Sequence, residues 1–285
     1  MSDPTTTTDS PESVQITRNS KSNFALAFIT LPKERRQAMV SYYAFCRVVD
    51  DIVDEPGPTR SERLALLDRW RCGFEGDINN PNSFEQEVFR LQSTYDIPTE
   101  HFHLLIDGME MDLDTKRYDT IEELLGYCYR VASSVGLVCM RIFGCDPDTT
   151  LDYATNLGYC LQLTNIMRDV AEDWRNDERI YIPREDLDRF DLSESLFENG
   201  PQGTRFLEMM EFQHERTVNY YDKTLAALPK QERRRVVPTE IMRDTYRAIL
   251  EAMKRDDFRV FDTKYSLGKL QKVGILTRRM VAGLV

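Results

Sequence analysis

No run of apolar residues approaches the roughly 18 that a membrane-spanning helix needs, and no hydrophobic segment of the kind a secretory signal carries stands near the start. A soluble chain in the cytoplasm, at most peripheral to a membrane, is expected. Strand signals, meaning alternating β-branched runs joined by hairpin turns, are missing throughout. Three histidines, His101, His103 and His214, are too few and too scattered for a zinc site or a nucleophilic triad. The six cysteines, Cys46, Cys72, Cys128, Cys139, Cys145 and Cys160, show neither C-x-x-C spacing nor a small secreted frame. They read as reduced core residues. No G-x-G-x-x-G follows a strand, so no motif argues for a dinucleotide. Basic residues are in deficit, 37 against 48 acidic, for a net charge of −11. That balance argues against a nucleic-acid partner held by phosphate contacts. It leaves room for a phosphorylated small molecule, because a bound divalent cation inverts the electrostatics of an acidic cavity.

What the chain does have is two unusual helices. In Leu157 to Pro183, the residues Tyr159, Leu163, Ile166, Val170 and Trp174 recur at steps of four, three, four and four, which is one apolar face of an α-helix. Gln162, Asn165, Asp169 and Asp173 recur at three, four and four on a second face, with Arg168 at its shoulder. Two carboxylates four apart lie roughly 6 Å from each other along the axis and repel. A divalent cation would compensate them, since magnesium takes hard oxygen ligands and is usually shared between one or two carboxylates and substrate phosphates; a solvated acidic face aided by neighbouring arginines would also serve. The second helix, Gln37 to Glu55, places Met39, Tyr42, Cys46, Val49 and Val53 on one stripe and Tyr43, Arg47, Asp50 and Asp54 on the next. Two such acidic faces, opposed across a cavity, make a cage for a metal-bound diphosphate.

Along the rest of the chain, SDPTTTTDSPES is too polar to offset the cost of ordering, and residues 1–18 are expected to be a disordered tail. One domain is expected over 19–285, because no linker divides it and a helical chain of this length can enclose one core. Asn23 to Leu31 reads as a short helical segment ending at Pro32. Glu110 and Asp114 stand four apart in DGMEMDLD, as a third metal contributor or, more simply, a solvated helix face. Tyr127 to Phe143 reads as a helix in which Ala132, Ser133, Ser134 and Gly136 let a neighbour approach closely. DPDTT at Asp146 supplies capping residues for the central helix, and Phe206–Leu228 and Pro238–Asp256 are long periodic helices.

YAFCRVVDDIVDE and LQLTNIMRDVAEDWRNDERIYIP resemble the first and second aspartate-rich motifs of the squalene and phytoene synthases, which join two prenyl diphosphates head to head. YCYRVASSVGLV, from Tyr127, resembles a third block of that family, which makes an isoprenoid chain rather than another helix the expected neighbour of its small residues, and LPKERRQAM fits the approach to the first motif. Ser20 and Ser22, before Phe24, stand one residue out of the family's commonest register. The resemblance runs from about Phe24 to near Leu267. It implies an all-α, single-domain isoprenoid-synthase-type bundle around a deep apolar cavity. It also implies condensation of two farnesyl (C15) or geranylgeranyl (C20) diphosphates through a cyclopropyl diphosphate, giving phytoene or presqualene diphosphate and (dehydro)squalene. By the same resemblance Asp50, Asp54, Asp169 and Asp173 hold Mg²⁺, with Mn²⁺ as a substitute, while Arg47 and Arg168 hold diphosphate oxygens. Gln162 and Asn165 orient the donor and metal waters, Tyr181 closes the chamber, and Tyr127, Tyr43 or Phe45 faces developing positive charge. NADPH enters only where squalene is the product. QLTN leans toward the bacterial phytoene, dehydrosqualene or presqualene diphosphate branch, and VASSVGLVCMRIFG with the C-terminal stretch leans toward the last. The competing readings are head-to-tail chain elongation, whose D-D-x-x-D is met by Asp50, Asp51 and Asp54, terpene cyclisation, and a non-catalytic helical assembly factor.

The last stretch, Thr263 to Val285, carries Lys264, Lys269, Lys272, Arg278 and Arg279 and no acidic residue. Leu267, Leu270, Val273 and Leu276 recur at threes, so a helix here sets an apolar stripe against basic flanks. Such a helix either docks on its own domain with its basic residues solvated or touches a membrane surface.

Overall fold

A computed structural model of the chain describes residues 12–19, 27–201 and 203–284. Among these residues all regular structure is helical, as the composition and periodicity predict. In chain order the helices are α1 (Glu12–Asn19), α2 (Lys33–Asp54), α3 (Arg60–Glu75), α4 (Ser83–Thr94), α5 (Thr99–Asp114), α6 (Ile121–Cys128), α7 (Ser134–Phe143), α8 (Pro147–Asp177), α9 (Arg184–Arg189), α10 (Ser195–Asn199), α11 (Arg205–Ala227), α12 (Val237–Arg255) and α13 (Lys269–Leu284). Expectations for Ser20, Ser22, Phe24, Leu26 and residues 1–11 lie outside the described residues. Over residues 12–18 the expected tail is instead helical. Ser13 and Thr17 of α1 are buried, Ser13 Oγ donating to Glu87 and Thr17 Oγ1 to the Val40 carbonyl. A short polar helix is stabilised here by its partners, which local composition cannot reveal.

The 31-residue α8 is the axis of the fold, packed by α7, α11 and α12. Asp146 caps it through the amide of Asp148, and Pro147 occupies the first turn, where a missing N–H costs nothing. Its apolar face, with Leu157, Leu163, Ile166, Met167 and Val170 buried, leaves the amide and carboxylate face free. Across from it α2 buries Met39, Tyr42, Phe45 and Val49. An aromatic cluster fixes this second wall: the Phe45 ring lies 5.0 Å from Trp70 and 5.3 Å from Phe74, and Phe74 stacks on Phe102 at 4.0 Å. Such pairs add about 0.5–1.5 kcal/mol each beyond simple burial.

Tyr127 to Phe143 is not one uniform helix. Between α6 and α7 the chain makes a π-helical turn, Tyr129–Ser133, where α8 crosses closely enough that Gly158 meets the backbone of Ser133. After α8 the chain turns at Glu178, φ 53°, and runs extended beside residues 116–119; the amide of Ile180 donates to the Lys116 carbonyl and that of Arg184 to Tyr118. This clip swings residues 179 and 181 back toward the face of α8 that carries the aspartates.

Candidate active site

Asp50 and Asp54 from α2 and Asp169 and Asp173 from α8 line a single cavity of about 910 Å³. Arg47, Tyr127, Gln162, Asn165, Arg168 and Tyr181 line it too. Side chains that are more than a hundred residues apart in sequence thus share one space. Tyr43 is set apart from them. One turn before Arg47, it faces an apolar recess that Arg47 and Asp50 also border. Phe45 does not reach any chamber: it is fully buried among Trp70, Phe74 and Phe102, because it belongs to the core stripe of α2. Its expected place beside a developing cation is therefore corrected.

Arginines partly neutralise the acids. Arg47 bonds Asp50 at 2.7 Å and Asp51 at 2.5 Å, and Arg168 grips Asp169 with two bonds of 2.8 and 2.5 Å. Glu172, one turn further along α8 from Arg168, bonds Lys264 instead. Asp54 feels Arg179 and Arg47, and Asp173 feels Arg179, only at longer range. Burial, and then the neighbouring Asp169, pushes Asp173 up to about 7. Burial and the adjacent Asp54 push Asp50 up to about 6. Buried carboxylates that resist ionisation in this way are short of positive charge.

The feature that sequence reasoning missed is Asp112, whose side chain is 8% exposed. Its Oδ2 accepts from Tyr127 Oη at 3.0 Å and its Oδ1 from Tyr181 Oη at 3.2 Å, while the two phenols lie 3.1 Å apart. Arg179 donates to Tyr181 Oη and to the Asp112 carbonyl. Burial pushes Asp112 up to about 6 despite Arg179. Glu110 and Asp114, the pair singled out by spacing, instead bond Arg71 and Arg60. They face outward and do not line the cavity. A signal for Asp112 did exist: Leu105, Met109 and Asp112 follow at four and three, so the carboxylate continues a buried stripe.

Two apolar recesses open beside the polar cavity. One, of about 150 Å³, meets it at Gln162 and Asn165 and runs between α7, α8 and α12, closed by Phe143, Met242 and Tyr246. The other, of about 200 Å³, meets it at Arg47 and Asp50 and ends at Met39, Tyr42, Leu105 and Met109. Phe28, Val131, Val135 and Cys139 border both. Burial keeps the Cys139 thiol up at about 12 and that of Cys46 higher still, so neither is a ready nucleophile in this space.

A divalent cation fits the donor set. Among the described residues no three acidic, histidine or cysteine groups converge tightly enough to cage a metal by themselves. Magnesium asks less, one or two carboxylates with water and phosphate completing its shell, and each wall offers one pair. Oδ1 of Asn165 is buried without a hydrogen-bond partner among the described residues, an acceptor left for a ligand.

A helical bundle that opposes carboxylate pairs over apolar branches defines an isoprenoid-synthase-type fold. Residues 17–271 match the family model described as squalene/phytoene synthase. The chain is 31% identical to the phytoene synthase of Mycobacterium tuberculosis over 274 residues, covering 94% of this chain and 89% of that one. It is 32% identical to the 15-cis-phytoene synthase of Synechococcus elongatus over 262 residues, covering 87% and 84%. Its fold is similar to that of a dehydrosqualene synthase crystallised with a ligand, at TM-score 0.82 and 27% identity over 95% of this chain and 94% of the other. A squalene synthase from Alicyclobacillus acidocaldarius follows at TM-score 0.76 and 28% identity, covering 86% and 93%. The chain belongs to the squalene/phytoene synthase family, enzymes that transfer prenyl groups by condensing prenyl diphosphates head to head.

Proposed function

We propose that the protein joins two geranylgeranyl diphosphates, through a cyclopropyl diphosphate, to give phytoene, in a reaction that requires Mg²⁺ and accepts Mn²⁺. The observation that carries this reading is the union of opposed aspartate pairs and two apolar branches at one polar cavity. The donor length rests on the phytoene synthases among the relatives. A second reading, farnesyl diphosphate as donor, is favoured by the dehydrosqualene and squalene synthase folds; NADPH would be used only if that product were squalene.

Asp50 and Asp54 on one wall, with Asp169 and Asp173 on the other, would hold the metal. When bound, it neutralises a diphosphate and makes it a better leaving group. Arg47 and Arg168, now bonded to the aspartates, turn their guanidinium groups to diphosphate oxygens, whose bidentate geometry matches a carboxylate's. Gln162 and Asn165, at the junction of polar cavity and apolar recess, orient the donor's first carbons. The stacked phenols of Tyr127 and Tyr181, 5.3 Å between centroids, present an electron-rich face, as Tyr43 does in the second recess. Asp112 and Arg179 fix those phenols. Apolar walls keep water from the allylic cation. The exposed apolar residues of α13 support contact with a membrane surface, where a long hydrocarbon is released more easily than into water.

The test is incubation with labelled C15 and C20 diphosphates, with and without NADPH, followed by hydrocarbon analysis. Phytoene from the C20 donor, lost in Asp50→Asn and Asp169→Asn and on magnesium removal, is the expected result. Head-to-tail or cyclic products would overturn the reading, and so would full activity in either variant.

A further inference from the structure

The end of α2 gathers negative charge from two sources. Asp50, Asp51 and Asp54 crowd it with carboxylates, and no basic residue stands in its last turn. The closing carbonyls of a helix add to this, having no partner within it and carrying the negative end of its dipole. Arg47 is spent on Asp50 and Asp51. Such an end frays readily, and Asp54 is its last residue.

Arg63 of α3 opposes that tendency from outside the helix. Thr59 and Glu62 cap α3 reciprocally: Thr59 Oγ1 accepts from the Glu62 amide at 3.3 Å, and the Glu62 carboxylate accepts from the Thr59 amide at 2.7 Å. This box fixes the first turn of α3, and the next residue, Arg63, reaches back across the loop to α2. Its Nη1 donates to the carbonyls of Ile52, at 3.2 Å, and of Val53. Its Nη2 donates to the Glu55 carbonyl at 2.6 Å, and its Nε to that of Pro58 at 3.1 Å. The side chain is half-buried and borders the polar cavity. A cation on these carbonyls offsets the helix dipole where the aspartates reinforce it.

We propose that Arg63 is a positioning residue: it holds the last turn of α2 closed in the metal-free protein, so that Asp50 and Asp54 already face the cavity when a divalent cation arrives. The inference rests on the metal reading of that cavity. All four bonds of the guanidinium go to backbone carbonyls, so Arg63 acts through the chain and not on the carboxylates. A cation that binds only the closed turn loses apparent affinity in proportion to the fraction of molecules that hold it closed.

The experiment is hydrogen exchange over residues 50–55 of the full chain, first in chelator and then across a magnesium titration with inorganic diphosphate present, beside turnover at each magnesium concentration. In Arg63→Ala these amides should exchange about tenfold faster in chelator, the effect of losing one hydrogen bond to a charged group. More magnesium should then be needed both to slow the exchange and to reach half-maximal turnover, while kcat at saturating magnesium returns close to the parent's. Arg63→Lys, whose single ammonium reaches fewer carbonyls, should fall between. Parent-like protection over residues 157–170 of α8 shows that each variant is folded. Unchanged exchange in Arg63→Ala overturns the proposal. So does a kcat that stays low at saturating magnesium after exchange has slowed, because Arg63 would then serve the substrate directly. If exchange in the parent ignores magnesium while Arg63→Ala still speeds it in chelator, the clamp stands and it is the metal reading that fails.

Discussion

Asp173 is ionised above about pH 4 in an unfolded chain, whereas in the folded protein burial and Asp169 hold its proton up to about 7. Its contribution to stability is therefore complete below about pH 4 and is lost as the pH rises through the folded value. Asp50 and Asp112, both raised to about 6, act in the same direction. In metal-free protein, Asp173→Asn should raise the melting temperature at about pH 8 by a few degrees, and the gain should shrink as the pH falls toward about 5. Melting curves of both proteins in chelator across that range decide it; an equal or lower melting temperature in the variant at the alkaline end would mean the carboxylate is already satisfied. The same variant should lose turnover, the usual exchange of stability for function. Asp50, Asp54, Asp169 and Asp173 were legible in the sequence because two helices far apart in the chain each repeat a carboxylate pair at four-residue spacing with an arginine beside it. Asp112 was not, since it is a single carboxylate flanked by two others, and the flanking pair has the showier spacing. Arg179 escaped for a different reason: it lies beyond the end of α8, in an extended clip where no periodicity marks which way a side chain turns.

At the scale of elements, the π-helical turn between α6 and α7 solves a problem of direction. Tyr127 must reach the polar cavity while Val131 and Val135 line the apolar recesses. An inserted residue rotates the succeeding turns by roughly 100° relative to an unbroken α-helix. Two glycines hold the turn from either side. A Cβ on Gly108 would lie 2.5 Å from Val131 Cγ1, and one on Gly158 would press still closer on both Cα and N of Ser133. In an ordinary helix interior, Gly→Ala stabilises by roughly 0.5–1 kcal/mol. For Gly158→Ala the sign should reverse, to a loss of about 1–3 kcal/mol, because backbone rather than a flexible side chain must give way. Urea denaturation reads this as a lower midpoint at constant slope. A stabilised variant would show that α8 does not clamp the turn. The sequence disclosed that something approaches Ala132 to Gly136 closely; the neighbour at Ser133 and Gly136 is the helix α8, while Ala132 and Gly136 also line the apolar recess in which an isoprenoid chain was expected. It could not disclose the π turn, since one extra residue among small side chains leaves the hydrophobic period almost unchanged. The positions of α11 and α12 were readable within a few residues, their apolar stripes being long enough to fix phase, whereas α8 stops at Asp177, short of the Pro183 to which a helix was expected to run.

Over the whole molecule, charge is distributed unevenly, and the exception to an acidic chain is its C-terminal helix. Two readings of that segment stood open, docking on its own domain or contact with a membrane, and its placement shows the docking. Arg278 and Arg279 bond Asp244, and Arg279 also bonds Glu240, so these two are anchors on α12 and not solvated charges. Ile275 and Leu276 pack inward. Leu270 is nevertheless 88% exposed, and Val273, Met280 and Val281 remain open to solvent with Lys269 beside them. Among the described residues no helix is long and apolar enough to cross a membrane. An amphipathic helix docked by one face and apolar on the other can lie on an anionic surface, with basic residues at the lipid headgroups. We expect the protein to float with anionic vesicles at low salt. Leu270→Glu with Val273→Glu should abolish this, because both changes fall on exposed positions that leave the arginine anchors intact. Circular dichroism should be unaltered, which separates lost contact from lost folding. Lys269→Glu alone should weaken flotation and make it more salt-sensitive, as a charge near the surface does. If the doubly substituted protein floats as well as the parent, this helix is not the surface that meets the membrane; α13 would then be an ionic strap on α12, its outer apolar residues merely left over from a short helix that covers one side of the domain.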